Sequence, residues 1–165
     1  MPRPDAELLA RLLDQHGGAL ALYAAQWTDA ADDCVQEALV ELARQSAEPE
    51  NAVGWLYRVV KHRALNSARG NSRRREREVE AWRRRLVREG PAADDRTDLL
   101  EAVERLPIDQ RELIVLRVWG GLSFAEIAEA TEVATSTAYR KYQEAIESLR
   151  QQWNEPCPCP TKTPK

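Results

Sequence analysis

Apolar residues recur along this chain at the spacing of helices and nowhere at that of strands. From Asp33 to Arg44, Val35, Ala38, Leu39 and Leu42 fall at i, i+3, i+4 and i+7. That spacing gathers them into one stripe and leaves Asp33, Gln36, Glu37 and Glu41 outside it. Val53, Leu56, Val60 and Ala64 repeat the pattern in a segment that starts after Pro49. Upstream lies another apolar segment, Leu8 to Trp27, in which Gly17-Gly18 predicts an interruption. No alternating β-branched run of strand length occurs, and no Asn-Gly hairpin signal. The first half therefore reads as a bundle of three or four helices ending near residue 80.

The pattern then breaks. The segment Arg88-Glu-Gly-Pro-Ala-Ala-Asp-Asp-Arg96 is nearly devoid of apolar residues and reads as a linker, placed at 81–97. Helical spacing resumes at Leu99, Leu100 and Val103, halts before Pro107, and runs again from about Asp109 to Trp119 with Leu113, Leu116 and Val118 inward. Gly120-Gly121 predicts the end of that helix, because glycine takes the left-handed cap conformation at little cost. Ser123-Phe-Ala-Glu126 is a capping box, so a short helix to about Ala130 follows, then a turn over 131–134 and a longer helix to about Trp153. The Pro-rich tail, 154–165, is expected to be disordered. The fold class is all-α: two small helical domains, 1–80 and 98–153, joined by a flexible linker.

Charge sharpens this picture. The whole chain carries only -3, but residues 58–88 balance to +9 while 1–57 balance to -7 and 89–165 to -5. A chain with a pI near 5.6 that concentrates half its cations in one segment presents a polyanion-facing patch. The plainer reading is an Arg-rich helix paired with the chain's own acids. No apolar run approaches the roughly 20 residues of a membrane span. Met1-Pro2-Arg3-Pro4-Asp5 leads into an acid-bearing amphipathic stretch rather than a signal sequence. Cys34 sits within a helical pattern, and Cys157 and Cys159 sit in the tail, which is no disulfide framework. A cytoplasmic protein without membrane attachment is expected.

In the second half, a short capped helix, a turn and a second helix have helix-turn-helix spacing. Ile127, Val133 and Ala138 form the expected wedge between the two helices. Thr135, Ser136 and Thr137 fall at the start of the second helix, where hydroxyls can cap it or touch phosphates. Tyr139, Arg140, Lys141 and Gln143 follow on faces free of Ala138, Tyr142, Ile146 and Leu149. An ordinary helical hairpin fits the same spacing. Residues 98–153 balance to -4, so DNA binding by this module cannot rely on bulk charge. Nothing else in the sequence suggests chemistry. Cys157 and Cys159 lack two further ligands nearby, and no phosphate loop or nucleophile–base pair occurs. No enzyme activity, metal or cofactor is expected.

Leu106-Pro-Ile-Asp-Gln-Arg-Glu-Leu-Ile-Val-Leu-Arg117 with Gly121-Leu-Ser-Phe-Ala-Glu-Ile-Ala128 resembles region four of bacterial RNA polymerase sigma factors, in particular the small extracytoplasmic-function (ECF) type. Independently, Asp33-Cys-Val-Gln-Glu37 and Ala52-Val-Gly-Trp-Leu-Tyr-Arg58 resemble region two of the same family. The resemblance spans about residues 8–151. The chain departs from the family in carrying Glu132 where the turn often has glycine, and Ala138 and Tyr139 in the recognition helix.

The resemblance implies a factor that binds core RNA polymerase and directs promoter recognition and melting. Asp33, Gln36 and Glu37 would meet the beta-prime subunit, with beta as a second contact. Arg58, Lys61, Arg63, Asn66, Arg69, Asn71, Ser72, Arg73, Arg74 and Arg75 would serve the minus-10 element. Asn66, Asn71 and Ser72 are the short polar residues nearest the loop that holds a flipped base. Trp55 and Tyr57 could stack on bases, although a core role suits their positions better. Thr135, Ser136, Thr137, Tyr139, Arg140, Lys141 and Gln143 would serve the minus-35 element. Core polymerase and promoter DNA are the implied partners, with an anti-sigma factor as a further possibility. A stand-alone helix-turn-helix regulator and a protein-interaction adaptor are the competing readings, and both leave the +9 run and the Asp-x-Val-Gln-Glu motif without a purpose.

Overall fold

A computed structural model describes residues 3–68 and 102–154. The linker at 81–97, the boundary near residue 80 and the tail beyond 154 lie outside these residues, as do Arg69, Asn71, Ser72, Arg73, Arg74 and Arg75. The described residues contain helices α1 (Ala6–Ala24), α2 (Ala31–Ala43) and α3 (Ala52–Ala68) in the first half. A helical turn at 102–105 leads into α4 (Ile108–Ile114), which continues as a π-helical turn over Val115–Trp119, then α5 (Phe124–Thr131) and α6 (Thr135–Asn154). No strand occurs among the described residues.

Local chemistry sets most of the boundaries. Asp5 starts α1 by accepting from the Leu8 amide at 2.8 Å. Asn51 does the same for α3, accepting from Gly54 N at 3.0 Å. The capping box at Ser123 and Glu126 forms in full: Glu126 Oε2 accepts from Ser123 N at 2.7 Å, and Ser123 Oγ accepts from Glu126 N at 3.3 Å. Gly121, with φ +67, supplies the left-handed residue that turns the chain out of the π-helical segment.

Two expectations need correction. Gly17-Gly18 does not interrupt α1, which runs unbroken because Leu20, Leu22 and Tyr23 beyond it are completely buried. Tertiary packing outweighs the roughly 1 kcal/mol that each helical glycine costs. Val118 points outward and is 54% exposed. The amide of Gly120 reaches back to Val115 O, one residue further than in an α-helix. That widened turn rotates Val118 off the stripe that carries Leu113 and Leu116.

The helices share one continuous core. Leu20, Tyr23, Leu42, Leu56, Tyr57 and Val60 from the first half join Leu113, Leu116, Leu122 and Ile127 from the second. Helix α3 lies along α5, and α1 packs against the π-helical turn, so the two domains are docked on each other. Gly54 permits the close crossing: a Cβ there would stand 3.1 Å from the Glu126 carbonyl of α5.

Candidate polymerase and promoter surfaces

Helix α2 places Asp33, Gln36 and Glu37 on its exposed side, while Cys34, Val35, Ala38 and Leu42 are buried. Asp32 and Asp33 occupy its first turn, where their charge also favours the helix dipole. Glu37 is not a free carboxylate. Arg63 of α3 donates to it at 2.5 Å and also grips Glu41, and these carboxylates hold the guanidinium pKa above its ordinary value. Between α2 and α3 opens a cleft of about 360 Å³ lined by Ala30, Asp33, Cys34, Glu37, Arg63, Asn66 and Ser67. Residues expected to serve polymerase and residues expected to serve the minus-10 element thus meet at one cleft. Burial, with Glu37 and Asp33 nearby, pushes the Cys34 thiol up.

Along α3, Arg58, Lys61 and His62 face the second domain. Lys61 Nζ stands 2.7 Å from Glu112 Oε1, and the Tyr23 hydroxyl donates to the same oxygen. Glu112 is buried at 6% exposure, and both of these partners of its carboxylate come from the first domain. Burial and the adjacent carboxylate raise the Tyr23 phenol far above its ordinary range, which keeps it a donor. Lys61 also lies 5.8 Å from the centre of the Trp27 ring. His62 Nε2 sits 2.7 Å from Glu132 Oε2, and Arg58 sits 3.8 Å from Glu129. The plainer reading of the Arg-rich segment, pairing with the chain's own acids, therefore holds for Arg58, Lys61 and Arg63. Tyr57 is fully buried, as a core role requires, and Trp55 is half-buried.

The helix-turn-helix forms as its spacing predicts. Ile127 and Ala138 are completely buried with Val133 half-buried between them. Glu132 closes α5 in the left-handed region at φ 57, so the turn forms without glycine. On α6, Thr135, Ser136, Tyr139, Arg140 and Gln143 are exposed, whereas Thr137 and Lys141 are half-buried. Lys141 leans toward α4, 3.6 Å from Asp109, and Arg140 pairs along its own helix with Glu144 at 2.6 Å. Tyr139 and Tyr142 both stand edge-on to Phe124, at 5.2 and 5.5 Å. Arg117 lies over the same ring at 5.1 Å. The outward face of α6 is thus Ser136, Tyr139, Arg140 and Gln143.

Sequence reasoning missed Glu112, Glu129 and Glu132, the acids that meet α3. Their trace was the -4 balance of a module expected to bind DNA.

Comparison with known proteins now decides the family. Residues 12–74 match the sigma-70 region 2 family and residues 96–149 match the sigma-70 region 4 family. The RNA polymerase sigma factor SigV of Bacillus subtilis is 30% identical over 127 residues, covering 74% of this chain and 75% of SigV. The chain belongs to the sigma-70 family. Its ECF character follows from relatives such as the ECF sigma factor SigK of Mycobacterium tuberculosis, 27% identical over 137 residues, covering 74% of this chain and 72% of SigK. Two solved structures share the fold. One is the sigma factor RpoE in complex with the anti-sigma factor NepR from Bartonella quintana (TM-score 0.60, 21% identity, 90% of this chain and 98% of that one). The other is CnrH in complex with the cytosolic domain of CnrY (TM-score 0.58, 20% identity, 90% and 89%). Both sigma regions in order on one chain disfavour a stand-alone helix-turn-helix regulator. Among the described residues of this sigma factor, no helix is long and apolar enough to cross a membrane, and no His, Cys, Asp and Glu cluster could hold a metal.

Proposed function

We propose that this sigma factor joins core RNA polymerase to promoter DNA through three surfaces of its own. The exposed α2 face of Asp33, Gln36 and Glu37 meets the polymerase beta-prime subunit by charge-assisted bonds. The α3 cations Arg58, Lys61 and Arg63, with Asn66, form the start of the minus-10 surface, which continues through Arg69, Asn71, Ser72, Arg73, Arg74 and Arg75. The outward face of α6, led by Ser136, Tyr139, Arg140 and Gln143, reads the minus-35 element, and Thr135, Thr137 and Lys141 stand at its edge. Its role is binding and deformation of DNA rather than catalysis. An anti-sigma factor is a fitting further partner, since the two solved structures described above are complexes with other proteins, one of them named as an anti-sigma factor.

The observation that carries this reading is the exposed Asp33-x-x-Gln36-Glu37 face on a helix whose other side is buried. Reversing Asp33 alone tests it cleanly, because Glu37 is tied to Arg63. Asp33→Arg should abolish co-elution with core polymerase and change folding stability by no more than about 1 kcal/mol. Core binding retained by the folded variant would remove α2 as the polymerase contact.

A further inference from the structure

Arg140 and Gln143 give the outward face of α6 two hydrogen-bonding side chains, but the centre of that face carries neither a charge nor an amide. Tyr139 stands there, one turn after Ser136 and one turn before Gln143, and is 52% exposed. A single exposed aromatic residue needs no explanation by itself. Two observations set this one apart.

The first is that its ring is held. Phe124, the first residue of α5, stands edge-on to Tyr139 at 5.2 Å, with the ring planes 76° apart. Phe124 is fixed in turn by Tyr142, edge-on at 5.5 Å, and by the Arg117 guanidinium that lies over it at 5.1 Å. Arg117 itself donates to the Leu122 carbonyl at 2.6 Å. The Tyr139 ring therefore belongs to a cluster drawn from the π-helical turn, α5 and α6. A tyrosine held in this way offers flat apolar area with little conformational entropy left to lose on binding.

The second is the charge around it. Arg140 pairs with Glu144 at 2.6 Å, and Lys141 leans to within 3.6 Å of Asp109. Both neighbouring cations are offset by acids of a module that balances to -4. A surface that binds mainly through phosphates has the opposite character. The centre of this face is thus better suited to base edges than to the DNA backbone. In the major groove every base pair presents donors and acceptors, and the apolar group there is the C5-methyl of thymine.

We propose that Tyr139 is a specificity-determining residue, and that it selects thymine in the minus-35 element by packing its ring on the C5-methyl group. This inference rests on the assignment of the outward α6 face to that element. Phe124 and Arg117 act as positioning residues that set the ring, while Arg140 and Gln143 supply the hydrogen-bonded part of the readout. Burying one methyl group changes affinity about fourfold, so thymine is preferred at its position rather than required.

The test uses holoenzyme assembled from core polymerase and the full chain, which first selects minus-35 sequences from a randomised promoter library. Each thymine of the selected element, on either strand, is then replaced singly by deoxyuridine. That change keeps the pairing and the O4 acceptor and removes only the methyl group. Run-off in competition with the unmodified promoter reads the effect, and circular dichroism confirms that the variants fold. The wild type is expected to lose about fourfold at one thymine. Tyr139→Phe should lose as much there, and Tyr139→Ala should treat thymine and deoxyuridine alike. A wild type indifferent to deoxyuridine at every position, a selected element without thymine, or undiminished sensitivity in Tyr139→Ala would overturn the proposal. Loss of the sensitivity in Tyr139→Phe would overturn it too, by handing the contact to the hydroxyl. In all four cases the reading of α6 as the minus-35 surface survives. Run-off without any minus-35 preference, or no run-off at all, would instead defeat that reading, and the role of Tyr139 with it.

Discussion

Glu132 is placed where its backbone is least comfortable. A side-chain-bearing residue in the left-handed region costs about 1–2 kcal/mol relative to the right-handed one, and glycine escapes that cost. What the position offers in return is reach, since its carboxylate lies 2.7 Å from His62 of α3 and its pKa is lowered chiefly by that hydrogen bond. Glu132→Gly should therefore steady the turn by about 1 kcal/mol, slowing amide exchange there roughly fivefold, while exchange along α3 quickens as the domains part. Faster exchange in the turn itself would contradict this account. Tyr23 offers a second test at this scale. Its folded pKa is raised above the ordinary 10, so its contribution is complete below pH 10 and is lost as pH rises through the folded value. Tyr57 is raised in the same sense by burial. In an alkaline titration, two of the four tyrosines should form phenolate only together with loss of helical circular dichroism. Titration of all four while the helices persist would show that Tyr23 and Tyr57 are not held as described.

Among the elements, α6 is where position and charge disagree with a simple reading. In the sequence, Arg140 and Lys141 both follow Ala138 on faces free of the apolar stripe and are equal candidates for the minus-35 element. Burial of Ala138 and Ala145 on α6 turns Lys141 toward Asp109 of α4 and leaves Arg140 at 63% side-chain exposure. Arg140→Ala should cost about 1–3 kcal/mol at one or two positions of the minus-35 element, as loss of a bidentate guanine contact does. Lys141→Ala should leave sequence preference unchanged. Run-off selection from a promoter library randomised at minus-35 reads both. An unchanged selection with Arg140→Ala would remove it as a base reader. The periodicity of α2 and α3, the capping box at Ser123 and the helix-turn-helix wedge were all legible, because each depends on residues close in sequence. The continuity of α1 through Gly17-Gly18 and the widened turn at Val115–Trp119 were not, because distant packing decides them.

Across the whole molecule, the sequence showed a basic stretch beginning in α3 and an acidic second domain, but not that they are complementary to each other. Nothing local says that Glu112, between Arg111 and Leu113, will be buried against Tyr23 and Lys61 of another domain. The acidic balance of 98–153 counted against DNA binding when read alone. Set against α3, the same acids are partners. The candidate residues were legible through motif resemblance, and their state in the free chain was legible only from the docked structure. The account stands or falls on joining core polymerase to a promoter. Run-off transcription from a promoter library, with core polymerase alone and with this chain added, measures that directly. Promoter-specific transcripts should appear only with the chain, and should vanish with Asp33→Arg. Transcripts that are no different with and without the chain would contradict it.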